Sequence, residues 1–181
     1  MTKRNRGTWF SGTATRMLVG AAIAAWAGSG ARAADTPDTA KVLNELHETN
    51  QKEIAAGKVA EKSGKTREVK DYGKTLQKDH TAADKKVTAL AKQEKVELGA
   101  TPAPAGDMSG MASDPMFDTK FAQEMLDGHK KAIADVTEAH DQTADEKLKK
   151  LLGELLPTLK KHEDIAQKII DKEGKKEAAS R

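Results

Sequence analysis

The sequence predicts an all-α protein, an antiparallel four-helix bundle, and three observations carry that prediction. Four segments repeat apolar residues at the three- and four-residue steps of a helix that faces a core. Period-2 alternation and β-branched runs are missing, which argues against a sheet. Cysteine is absent, so no disulfide can staple a small irregular fold, and stability has to come from helix packing.

The bundle is expected to follow a cleaved signal peptide over residues 1–33. Lys3, Arg4, Arg6 and Arg16 precede the apolar run Met17 to Gly28, and Ala31-Arg32-Ala33 supplies the small residues of a cleavage site. The run falls short of the roughly 20 apolar residues needed to span a bilayer, which argues against an uncleaved anchor. Arg4-Asn5-Arg6 is not a twin-arginine pair, and no cysteine follows the cleavage site for lipid attachment. Cleavage removes five of the 31 basic residues and none of the 28 acidic ones. That leaves 26 against 28, a net charge of −2. The basic character of the whole chain is therefore a targeting feature. Trp9, Phe10 and Trp26 leave with it, so a nucleic-acid partner is not expected. A periplasmic or secreted location follows, with no stable membrane span after cleavage.

Residues 34–174 form the expected bundle domain. The first helix runs from about Pro37 to Ser63, with Thr36 as cap and Pro37 as first helical residue. Its stripe is Leu43, Leu46, Ile54, Gly57 and Ala60, interrupted by Asn50 and Glu53. The second runs from about Arg67 to Leu98 behind Thr66, with the stripe Val69, Tyr72, Leu76, His80, Ala83, Val87 and Leu90, and Gly99 closes it. Residues 99–114 carry Pro, Gly, Ser and Ala without period and read as a loop across one end of the bundle. The third helix opens at Asp114-Pro115 and runs to about His140, with Phe117, Phe121, Met125, His129, Ala132 and Val136 inward. Thr143-Ala144-Asp145-Glu146 reads as a capping box for the fourth. That helix shows Leu148, Leu152, Leu155, Leu159, His162, Ala166 and Ile169, bends at Pro157 opposite Gly153, and frays near Gly174. Residues 175–181 are expected to be a disordered tail.

The informative residues are His80, His129 and His162, each on an apolar stripe and each on a different helix. An imidazole buried without partners costs a few kcal/mol, about 1–3 on mutational scales. Three of them point either to a transition-metal ligand set or to three core hydrogen-bond partners. In the second reading His80, His129 and His162 bond to carboxylates such as Glu53, Asp79, Asp84, Asp118 or Glu124. With the turns near Gly64 and Gln142 placed at one end, the helical rise puts His80 about 24 Å up, His129 about 20 Å and His162 about 30 Å. The same rise puts Glu53 at about 17 Å and Glu124 at about 27 Å. Glu53 and Glu124 are therefore the candidate carboxylate ligands, with Glu124 level with His80 or His162, and Glu53 with His129. A di-iron site of the Glu-x-x-His type is disfavoured, because Gln77, Leu126 and Leu159 stand three residues before the histidines. Copper or zinc suits the imidazoles better. Met108, Met111 and Met116 offer soft thioethers, but M-x-x-M is a weak motif and reads better as part of a small-residue loop. His47 and His140 read as exposed and take no role. No nucleophile constellation, phosphate loop or H-E-x-x-H is present, so the chain leans towards a non-enzyme.

Three stretches, Leu76-Gln-Lys-Asp-His80, Phe117 to His129 and Leu155 to His162, resemble an exported bacterial family catalogued as domain of unknown function 4142. The likeness spans roughly Ala40 to Asp171. It rests on Asp79, His80, Phe117, Asp118, Met125, His129, Leu156, Pro157 and His162. Tyr72, Leu76 and Phe121 depart conservatively from the family pattern. The resemblance implies a ferritin-like fold and a periplasmic or secreted location, and no activity. Two functions stay open on the sequence. One is a metal-binding module. The other is a non-enzymatic structural or stress-related envelope protein.

Overall fold

The computed structural model describes residues 37–100 and 106–179, and the expected signal peptide over residues 1–33 lies outside them. Five helices and no strand occur among the described residues: α1 (Thr39–Ser63), α2 (Arg67–Glu94), the short α3 (Gly106–Met111), α4 (Phe117–Gln142) and α5 (Glu146–Ala179). The four long helices are those the periodicity predicts. None of the described helices is long and apolar enough to cross a membrane.

Helix ends differ from the sequence expectation where a nearer carboxylate outcompetes the expected cap. Asp38, not Thr36, caps α1 by accepting the Ala40 N–H at 3.0 Å, and Pro37 lies buried ahead of it. Asp145, not Thr143, opens α5 by accepting the N–H groups of Lys147 and Leu148 at 2.9 and 3.1 Å. A charged acceptor at a helix N-terminus gains from the dipole as well as from the bond. Asp114 accepts the Met116 N–H at 2.7 Å and forms a turn, so α4 starts at Phe117 rather than at Pro115. Thr66 does cap α2, accepting the Val69 N–H. That helix stops at Lys95, whose left-handed φ of 56° turns Val96 and Leu98 back onto the core. Helix α5 continues through Pro157 and Gly174 to Ala179, so residues 175–179 are helical rather than a disordered tail. Alanines at 178 and 179 and the Lys176–Glu173 pair at 2.6 Å favour the extension.

The connectivity also differs. Asp118, at the start of α4, accepts the N–H groups of Lys65 and Thr66, both at 2.7 Å, and the Thr66 hydroxyl at 2.6 Å. At the opposite end Thr39 donates to Asp145 at 3.1 Å. The α1–α2 turn and the α4–α5 turn therefore lie at opposite ends of the bundle. The connection from α2 to α4 runs the length of the bundle instead of crossing one end. Two antiparallel hairpins joined by one long crossover is the ferritin-like arrangement. The crossover is not an open loop: its α3 seats Met108, 5% exposed, among Tyr72, Phe117 and Phe121.

Apolar side chains divide into two clusters. One gathers Leu43, Val87, Leu90, Leu148 and Leu152 near the α1 start; the other gathers Tyr72, Leu76, Phe117, Phe121 and Ile169 near the α1–α2 turn. Within the first hairpin α1 and α2 cross at Gly57 and Gly73. A Cβ on Gly73 would stand 2.5 Å from the Gly57 carbonyl oxygen and 2.7 Å from the Glu61 nitrogen. Both obstacles are backbone, so the helices would have to separate. Gly73→Ala is expected to destabilise the protein by about 1–3 kcal/mol in urea unfolding. Gly128→Ala, which meets nothing within 4 Å, should stabilise it by roughly 0.5–1 kcal/mol through helix propensity. Equal shifts for the two would refute the close-crossing account.

Candidate metal centre

Between the two apolar clusters lies a polar layer. His80 from α2, His129 from α4 and His162 from α5 are 4%, 1% and 0% exposed. One ring nitrogen of each lies within 4.8 Å of one from both others. Their ring centroids are 5.1 to 5.8 Å apart. The helical rise accounts for the meeting. Counted from the α1–α2 turn, His80 lies about 20 Å along α2 and His129 about 18 Å along α4, and α5, descending from where α4 finishes, brings His162 to about 14 Å.

Each ring has one nitrogen fixed by a neighbour. His80 Nδ1 stands 2.9 Å from Asn50 Oδ1, and His129 Nδ1 stands 2.8 Å from the Met125 carbonyl oxygen. Both oxygens only accept, so both Nδ1 atoms carry the proton. His162 Nε2 lies 3.1 Å from Asp79 Oδ2. Burial pushes the Asp79 carboxyl up, but hydrogen bonds from Lys161 and His162 outweigh it and hold it below the usual range. Asp79 is thus ionised and accepts the His162 Nε2–H. Tyr72 holds the backbone of the same residue, its hydroxyl donating to the His162 carbonyl at 3.0 Å.

The remaining nitrogens turn towards one another. Burial first, and then the His129 ring, push His162 down to about 4; burial, His162 and His129 push His80 well below its ordinary value. Both rings are neutral near pH 7. A neutral His162 with its proton on Nε2 presents a lone pair at Nδ1, 3.2 Å from His129 Nε2. That contact is closed either by a proton that His129 Nε2 donates to His162 Nδ1 or by a cation lying against both nitrogens. His80 Nε2 is buried and has no partner.

Helix α1 contributes Glu53. Its stem reaches the surface, but its carboxyl is buried and Oε2 has no partner. Burial pushes that carboxyl up, and the His129 ring offsets part of the effect. The converging triad contains neither Glu53 nor Glu124. Glu53 is electrostatically coupled to His129 and Tyr72. Glu124 is half-buried. Of the carboxylate partners expected for the histidines, Asp79 holds His162. Asp118 instead clamps the α1–α2 turn, and Asp84 binds His47 at 2.7 Å and Gln51 at 2.7 Å. That contact leaves His47 half-buried rather than exposed, while His140 lies against Asp141 at 2.9 Å. Met111 is partly buried and Met116 is 52% exposed. With Met108 in the core, the three thioethers serve packing and surface separately.

The sequence model for Domain of unknown function (DUF4142) matches residues 24–169, most of the chain. The chain belongs to the DUF4142 family. No curated protein and no solved structure matches it. The triad of this DUF4142 protein comes from the stretches on which the resemblance rests: Asp79 and His80, Met125 and His129, and His162. Asn50, the partner of His80, was visible only as a polar interruption of the α1 stripe. No sequence signal marked the contact of Tyr72 with the His162 carbonyl.

The depressed histidines set a pH dependence for the metal-free protein. The fold keeps His80 and His162 neutral, whereas the unfolded chain protonates them near 6.5. Their contribution is whole above pH 6.5 and is lost as pH falls from there towards about 4. Glu53, pushed up from 4.5, acts with the opposite sign. In a Glu53→Gln background, urea unfolding of chelator-treated protein should show stability falling across that window. A flat or rising profile would contradict neutral burial of the rings.

Proposed function

We propose that this DUF4142 protein works outside the cytoplasm, in the periplasm or as a secreted protein, and binds one transition-metal ion through His80, His129 and His162. Glu53 is the fourth ligand. The observation that carries the reading is the convergence of one buried ring nitrogen from each of the three histidines within 4.8 Å, with His129 Nε2 and His162 Nδ1 3.2 Å apart. Nitrogens at that distance share either a proton passed from one ring to the other or a cation lying against both. Two nitrogens on one tetrahedral zinc stand about 3.3 Å apart, from bonds of about 2.0–2.1 Å. The acceptors behind the rings, Asn50, the Met125 carbonyl and Asp79, orient them as metal-ligating histidines are commonly oriented. A neutral nitrogen-rich set favours zinc or copper. Export is supported by the basic N-terminus, the short apolar run and Ala31-Arg32-Ala33.

In the second reading the three histidines are only core hydrogen-bond partners of a structural envelope protein. The bonds to Asn50, Met125 and Asp79 favour it. It leaves His80 Nε2 and Glu53 Oε2 buried and unpartnered, each at a cost of about 1–3 kcal/mol. A metal on the triad would satisfy His80 Nε2, and a turn of the Glu53 carboxyl onto the ion would satisfy Oε2.

Protein purified without an affinity tag should contain close to one equivalent of zinc or copper. Chelation should lower its melting temperature, and excess metal should restore it; saturation at about 1,000 times Kd adds roughly 4 kcal/mol. His129→Ala or His162→Ala should weaken binding by at least about 100-fold, given the loss of one of three strong ligands. Metal at trace level, with no thermal response to added zinc or copper, would leave only the structural reading.

A further inference from the structure

Beside the histidine layer the two hairpins do not close completely. A cavity of about 370 Å³ extends from Asn50, Asp79 and His80 towards the α1 start. Its walls are apolar: Val42 and Leu46 from α1, Ala132 and Val136 from α4, Leu155 and Leu159 from α5. The space exists because small residues, Ala83 and Ala132, hold stripe positions where leucine would fill it. It has more than twice the volume of the ~150 Å³ apolar cavity that accepts one benzene. Helices α1 and α4 touch only sparsely, and Glu45, Lys131 and Asp135 line the cavity along that seam.

One polar group in this chamber lacks a partner and is not needed by the metal. Asn50 is 5% exposed and its Oδ1 faces His80, yet its Nδ2 is buried with nothing to donate to. An amide N–H in that state calls for an oxygen acceptor. The surrounding charges restrict what can carry it. Asp79 stands beside Asn50, and Glu45, Asp135 and Glu138 outnumber Lys131 around the cavity. An anionic head would be repelled, and an ammonium, itself only a donor, would leave Nδ2 without an acceptor.

We propose that this chamber is a binding site for one small, uncharged organic molecule with an apolar body and a single hydroxyl or carbonyl oxygen. The body lies against the leucine and valine walls, and the oxygen accepts from Asn50 Nδ2. The site borders the histidine centre but does not require it to be loaded, so the two readings can fail separately.

The test uses chelator-treated full-length protein and three probes of one shape: 1-naphthol, naphthalene and 1-naphthoate, titrated by fluorescence and calorimetry. Naphthol should bind at one site, naphthalene about tenfold more weakly for want of one hydrogen bond, and naphthoate not measurably. Ala132→Leu, which fills the chamber, should abolish naphthol binding while metal uptake stays unchanged. Ala83→Leu provides a second filling variant should the first not fold. No naphthol binding at its solubility limit, equal binding of naphthoate, or binding that survives both filling variants would overturn the proposal. Naphthol binding by a protein that takes up no zinc or copper would leave the chamber standing and remove the metal reading instead.

Discussion

Three imidazoles from three helices, gathered in the buried centre of the bundle, set the terms for the rest of this molecule. Each neighbour helps to hold them there. The Met125 carbonyl and the Asp79 carboxylate take the protons on the far sides of His129 and His162. Burial keeps His162 from acquiring a second proton. Rotating either ring to relieve the contact would break a buried hydrogen bond of about 1 kcal/mol or more. The rings are thus held in register by the bonds on their far sides.

That polar layer is possible only because the bundle is firm above and below it. Tyr72, Phe117 and Phe121 pack on one side, with ring centroids 5.7 and 6.0 Å apart. Aliphatic residues of all four long helices pack on the other. Each hairpin is also tied at its ends. The Asp118 clamp fixes where α4 starts relative to the α1–α2 turn, and the Thr39–Asp145 bond fixes the far end. The glycine crossing at residues 57 and 73 sets the spacing of α1 and α2, hence the depth at which Glu53 and His80 sit.

Much of this was legible in the sequence, because helical period is a local property. The stripes placed Leu76, His80, Phe121, His129 and His162 inside, and they are inside. Caps were less legible: several oxygen-bearing residues stand near each helix start, and only the folded geometry shows which one reaches the free N–H groups. Asp38 and Asp145 won over Thr36 and Thr143 in that way. The largest error was topological. No local pattern tells whether sixteen irregular residues cross one end of a bundle or traverse its length. Choosing the end inverted the second hairpin against the first and made Glu124 look level with His80, whereas the observed topology puts it roughly 9 Å nearer the α1–α2 turn. Met108 was read as part of an open loop for a related reason, since its burial depends on the path of the crossover.

Each of the four long helices contributes one of the groups gathered around the polar layer: Glu53, His80, His129 and His162. The last of these sits well inside α5. A nascent chain therefore holds no complete constellation until its final helix has emerged from the ribosome, and truncated products lack a ring outright. An ion bound through all of these groups would require both halves to have docked. A fragment carrying only the first hairpin would present one imidazole and one carboxylate, with little to distinguish it from any other helical peptide.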